Sequence, residues 1–160
     1  MGNLNLQCAG RTIPADVTFD PVDSKLLPSN HVKCLYQDSE GFVWIGTNNG
    51  LARYDGTNVI SYSSYLQEYS FLSEVIEDSD GRLLLATDKG LVILDKVTGR
   101  AEAMVDGIAV SSLSKDPDGN IWAGGEDGLF VRPADGEAFA KVEVMISGEP
   151  DRKSTRLNSS

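Results

Sequence analysis

Histidine is nearly absent from these 160 residues: His31 stands alone, and cysteine occurs only at positions 8 and 34. So few of either give no disulfide framework and no metal-ligand pattern, and leave little for acid–base catalysis. Basic residues are scarce too, 14 Lys and Arg against 24 Asp and Glu, for a net charge of −10. That balance repels phosphate backbones and anionic membrane surfaces, so neither nucleic acid nor a membrane face is expected as partner. No apolar run approaches the roughly 20 residues of a membrane helix. The start, MGNLNLQCAG, has no charged n-region and no long apolar stretch, so no signal peptide is visible. Bulky Gln7 before Cys8 disfavours a lipoprotein cysteine, and no convincing amphipathic helix is found. What is present is an ordinary globular composition, 41% apolar and 24% charged, with 16 glycines that promise many turns. The balance favours a binding or scaffold module over an enzyme, and neither cofactor nor metal is expected.

The last ten residues, Asp151–Ser160 (DRKSTRLNSS), carry three basic side chains and no strand or helix pattern. They resemble translated sequencing-adapter sequence, and 151–160 is expected to be a non-native tail.

Internal repetition organises the rest. One copy reads HVKCLYQDSEGFVWIGTNNGLARYDG from His31, a second FLSEVIEDSDGRLLLATDKGLVILDK from Phe71, and a third AVSSLSKDPDGNIWAGGEDGLFVRPA from Ala109. The anchors are Asp38, Asp78 and Asp116; Gly41, Gly81 and Gly119; Gly50, Gly90 and Gly128. Within every copy Asp precedes the first Gly by 3 residues, and the two Gly lie 9 apart.

Each copy reads as four strands. The first is Val32–Gln37, Leu72–Glu77 or Val110–Lys115, closed by a turn in which Asp bonds the backbone two residues on and Gly takes positive φ. The second, Phe42–Thr47, Arg82–Thr87 or Asn120–Gly125, is continuously apolar, which signals burial on both faces. The third is Leu51–Tyr54, Leu91–Leu94 or Leu129–Arg132. A less regular fourth is expected over Val59–Tyr62, Ala101–Val105 and Ala138–Ile146. Four short antiparallel strands in about 40 residues, apolar on both sheet faces, make one propeller blade. The fold expected is therefore all-β: three four-stranded antiparallel blades, at about 31–63, 71–105 and 109–146, in a partial β-propeller. Three blades do not close a ring, so the chain reads as an arc of a probable seven-bladed one. Residues 1–25, with Val17-Thr18-Phe19, could supply the outer strand of a preceding blade.

Leu27-Pro28-Ser29-Asn30, then Gln37-Asp38-Ser39-Glu40-Gly41-Phe42-Val43-Trp44-Ile45-Gly46-Thr47, then Asn49-Gly50-Leu51-Ala52-Arg53-Tyr54-Asp55-Gly56, closely resembles the two-component regulator propeller repeat. The third copy keeps Asp116, Gly119, Trp122 and Gly128; the second has Leu84 where the family has Trp. The likeness spans about 26–132. It implies an extracytoplasmic or periplasmic sensor propeller, an oligosaccharide ligand, and a parent protein whose remaining blades lead to a histidine kinase or similar output. The phosphorelay parts themselves are not found in this chain.

Trp44 and Trp122 could be sugar platforms, but their shared place in an apolar strand favours packing between blades. The Asp-rich turns offer too few oxygens for Ca²⁺. Cys34, mid-strand, reads as a small core residue. The least repetitive stretch, Tyr62–Phe71, joins two blades. Its Tyr62, Tyr65 and Tyr69 could stack on sugars, beside the second-to-third-strand turns at Asn48, Asn49, Asp88, Lys89, Glu126 and Asp127. A solvated loop with tyrosines packed on the blade edge is the competing reading. Two other functions stay open: a streptogramin-lyase-like propeller enzyme, which needs catalytic His and a metal, and a protein–protein interaction propeller.

Overall fold

The computed structural model describes residues 26–143, together with the backbone of two short antiparallel strands, β1 (Gln7–Cys8) and β2 (Arg11–Thr12). Val17–Phe19, the end of the third repeat beyond residue 143, and the tail 151–160 lie outside the described residues.

Three four-stranded antiparallel sheets follow in chain order. Blade one is β3 (Val32–Gln37), β4 (Val43–Thr47), β5 (Gly50–Tyr54) and β6 (Val59–Ser61). Blade two is β7 (Leu72–Glu77), β8 (Leu83–Thr87), β9 (Gly90–Leu94) and β10 (Ala101–Asp106). Blade three is β11 (Val110–Lys115), β12 (Ile121–Gly125), β13 (Gly128–Arg132) and β14 (Ala140–Val142). The first strands sit as the repeat predicts. The third blade's outer strand starts later than expected, at Ala140 rather than Ala138, because a turn at Pro133–Gly136 intervenes; the expected stretch beyond residue 143 lies outside the described residues.

Each first turn is held by its aspartate. Glu40 and Phe42 N–H donate to Asp38 Oδ1, and Asp80 and Arg82 N–H donate to Asp78 Oδ1. Gly81 sits at φ +77°, a left-handed conformation that a β-carbon disfavours. Gly90 meets a different demand: a β-carbon there would run into the Val105 carbonyl oxygen of the adjacent strand.

Packing explains the continuous apolar runs. Alternate side chains of β8 serve opposite faces. Leu83 and Leu85 join Trp44, Leu51, Leu72, Val75, Val92 and Leu94 between blades one and two. Leu84 and Ala86 join Leu91, Ile93, Leu113, Ile121, Ala123 and Phe130 between blades two and three. Leu83, Leu84 and Leu85 are wholly buried, and each contributes about 1.5–3 kcal/mol by that burial. The first strands neighbour one another, β3 against β7 and β7 against β11, so they form the inner edge of the arc. All three carry a bulge at the same place, leaving Lys33, Ser73 and Ser111 out of the pairing register.

One element differs from the sequence expectation. The connection after β6 contains a single helical turn, α1 (Ser63–Leu66), where no helix is expected. Four residues are too few for a periodic signal. The turn forms because Leu66 drops wholly buried into the junction of blades one and two, and Gln67 leaves it at φ +30°.

Candidate functional site

Two rims result from this topology. The upper rim gathers the second-to-third-strand turns and the connections between blades: Asn48 N–H donates to the His31 carbonyl at 3.2 Å, and Asp88 N–H to that of Phe71 at 3.3 Å. Asn49, Asp88, Lys89, Glu126 and Asp127 stand exposed there, with Asn48 half-buried. Thr47 and Thr87 hydroxyls shape the turns by donating to the Gly50 and Gly90 carbonyls, 2.8 Å each. The six expected turn residues therefore do share one rim. Asn48 Oδ1 is buried there and accepts no hydrogen bond among the described residues.

The three tyrosines do not form one platform. Tyr62 belongs to the core: its ring meets Trp44 edge-on at 4.9 Å, and its hydroxyl donates to the Lys96 carbonyl. Buried to 8% exposure, it leaves no open ring face for a sugar. Tyr65 is half exposed but lies against Gly99, in the turn between β9 and β10 on the opposite rim. Only Tyr69 stays on the upper rim, where its hydroxyl donates to Asp106 Oδ1 at 3.4 Å. Its partial burial and the Asp106 charge raise its phenol pKa.

Trp44 is wholly buried, as expected of a residue packed between blades. Trp122, on the face of blade three turned away from blade two, is only half-buried. Cys34 is half-buried, and burial raises its thiol to about 11. His31 is exposed at the entry to β3. Among the described residues, no group of three His, Cys, Asp or Glu side chains is placed to hold a metal ion.

The lower rim holds a charged clasp that sequence reading missed. Lys96 Nζ of blade two lies 3.2 Å from Asp38 Oδ2, 3.1 Å from Glu40 Oε1 and 2.7 Å from Glu77 Oε1. Ser39 donates its N–H and hydroxyl to Glu77, so the blade-one turn is tied to blade two from both sides. Trp44 Nε1 donates to Asp38 Oδ2 at 2.8 Å. Burial alone would raise the Asp38 carboxyl, but the bonds from Trp44, Lys96 and Phe42 outweigh it and hold the group below its ordinary value. Glu77 is likewise lowered against its burial by Lys96 and Ser39. Lys96 responds in kind: burial would lower it, yet Glu77, Glu40 and Asp38 hold it well above the usual lysine range. In repeat two, which lacks the tryptophan, Arg82 donates to Asp78 Oδ2 instead, and Arg132 of blade three adds a second cation at 3.3 Å. Nearer the axis, Glu74 Oε2 accepts the Leu113 N–H at 2.6 Å and ties β7 to β11. These contacts tie neighbouring blades together.

Comparison with known proteins agrees with this architecture. The profile of the family described as two component regulator propeller matches residues 26–49 and 105–127. These segments fall on the first and third repeats, which are thus similar to the repeat of that family. No curated protein matches the sequence. Among solved structures, the chain is similar to the extracellular domain of BT4673 from B. thetaiotaomicron, described as a hybrid two component system. The TM-score is 0.63 at 24% identity, covering 76% of this chain and 17% of that one. A second structure of the BT4673 extracellular domain gives 0.62 at 24% identity over 78% and 18%. The extracellular domain of BT3049 from the same organism, also described as a hybrid two component system, gives 0.53 at 27% identity over 66% and 15%. The chain thus spans less than a fifth of each of these proteins' structures.

Proposed function

We propose that this chain, an arc of two component regulator propeller repeats, is part of the extracytoplasmic ligand-sensing propeller of a bacterial two-component sensor. Its ligand is an oligosaccharide, and its signal passes to a histidine kinase or similar output in the parent protein. The remaining blades belong to that parent, in a ring of seven, with residues 1–25 contributing to the blade before the first. The observation that carries the reading is the joint presence of three blades in one register and a family match on two of them, with neighbours that are extracellular domains of two-component systems. A rigid stack of this kind serves recognition: its charges tie blades together, while the exposed upper rim offers Asn49, Asp88, Lys89, Glu126, Asp127 and Tyr69 as polar and aromatic contacts. Carboxylates and amides of this kind hydrogen-bond sugar hydroxyls without needing a charged ligand.

The test is calorimetric titration of the complete propeller with a panel of oligosaccharides. Saturable binding that Asp127→Ala and Tyr69→Ala weaken is the expected result. Binding to no glycan, together with capture of a defined protein partner on the same rim, would replace the sensor reading with an interaction propeller.

A further inference from the structure

The turn aspartates use their two oxygens differently. Oδ1 holds the turn backbone, as the Asn120 N–H bond to Asp116 Oδ1 shows again in blade three. Oδ2 takes a side-chain donor from its own blade: Trp44 Nε1 for Asp38, Arg82 for Asp78, and Trp122 Nε1 with Asn120 Nδ2 for Asp116. Asp38 and Asp78 then each accept a cation from the following blade, Lys96 at 3.2 Å and Arg132 at 3.3 Å. Lys96 lies two residues beyond the end of β9 and Arg132 is the last residue of β13, so both cations come from the end of a third strand. Asp116 has the same construction, and among the described residues no Lys or Arg pairs with it. On the same face Trp122 and Leu129 are half-buried, whereas their counterparts in blade one, Trp44 and Leu51, are wholly covered by blade two.

We propose that this face of blade three docks a further four-stranded blade, and that a Lys or Arg at the end of that blade's third strand completes Asp116. The inference rests on reading the chain as an arc of a longer propeller. Charge decides which blade fits, because the Asp116 carboxylate, unpaired among the described residues, calls for a cation. A second copy of this chain, stacked head to tail, would present Tyr54 at the end of its third strand and Gly56 two residues on, neither a cation. Its nearby Arg53 is already engaged over the Phe42 ring, 4.4 Å from the centroid.

The experiment is a double-mutant cycle in the protein translated from its complete reading frame, pairing Asp116 with the Lys or Arg at the third-strand end of the next repeat. Asp116→Asn is expected to lower the folded-to-unfolded ratio about tenfold at neutral pH, and to cost much less once that cation is replaced by Met. A crystal structure of the same protein should place the cation's nitrogen within 4 Å of Asp116 Oδ2, which keeps the proposal testable if a variant fails to fold. Equal costs in both backgrounds, a next repeat with no basic residue there, or a second copy seated on Trp122 would each overturn it. Because the cycle reads stability alone, failure of sugar binding or of signalling would not be mistaken for failure of this contact.

Discussion

Replacing Lys96 with Met keeps the aliphatic stem and removes the charge from the clasp between blades one and two. The Lys96 side chain is 8% exposed, and its partners Asp38 and Glu77 are 0% and 7% exposed. Loss of one partner of a buried pair leaves the other charge uncompensated, at about 3–5 kcal/mol. The lower end applies here. Asp38 keeps Trp44 Nε1 and two backbone donors, and Glu77 keeps Ser39. Glu40, 61% exposed, adds only ~0–1 kcal/mol. The expected cost near pH 7 is therefore about 3 kcal/mol. The pH dependence sharpens this. Asp38 and Glu77 titrate below their ordinary 3.8 and 4.5 in the folded protein, so their contribution is complete above those values and is lost as pH falls through the lower folded ones. Lys96 titrates above its ordinary 10.5, so its share is complete below that pH and is lost only as pH rises through the folded value. In the variant the two carboxylates face each other without a cation, and protonation relieves them. The stability deficit should shrink as pH drops below about 4.5. Urea unfolding of both proteins at pH 7 and pH 4, followed by far-ultraviolet circular dichroism, measures it. A deficit under about 0.5 kcal/mol at pH 7, or one unchanged at pH 4, would refute the clasp as a source of stability.

Trp44→Ala should cost about 3–5 kcal/mol by chemical denaturation. Trp122→Ala in the 160-residue chain should cost clearly less, because its ring is only half-buried. Glu74→Ala removes the acceptor of the Leu113 N–H, and a loss of about 1–3 kcal/mol is expected in the same titration. In a Cys8→Ser background, Cys34 with its thiol near 11 should react with iodoacetamide at pH 8 on the order of tenfold slower than in the unfolded chain. Equal rates would place the thiol in solvent.

Much of the fold could be read from spacing alone. Hairpins are local, so the Asp-to-Gly turn and the strands on either side of it were visible at every repeat, and the boundaries of β3, β7 and β11 agree with expectation. What escaped was non-local. The bonds of Lys96 to Asp38 and of Arg132 to Asp78 span 58 and 54 residues, and no pattern within one repeat reports them. Tyr62 is expected on a rim as the first residue of the connection between blades, yet its ring turns into the blade junction against Trp44. One signal of it does lie within the repeats. Two repeats pair their aspartate with a Trp six residues later, while the repeat without that Trp has Arg82 four residues after its aspartate. Taken together, those positions mark a side-chain donor for the same carboxylate oxygen in every repeat. The clasp occupies the lower rim, opposite the exposed turns that the sequence singled out for ligand contact.

The bulges of the inner strands set apart two kinds of position. Lys33, Ser73 and Ser111 stand outside the ladder, so no residue of the second strand lies in register opposite them. Their neighbours Leu72, Val75, Val110 and Leu113 are core residues packed between blades. The arc therefore carries one position per blade, at the same place in each inner strand, whose side chain is free for a contact of its own: the Ser111 hydroxyl donates to the Gly124 carbonyl at 3.4 Å. Lys33, whose ammonium lies 5.3 Å from the Phe71 ring centroid, already differs from the serines in the other two blades.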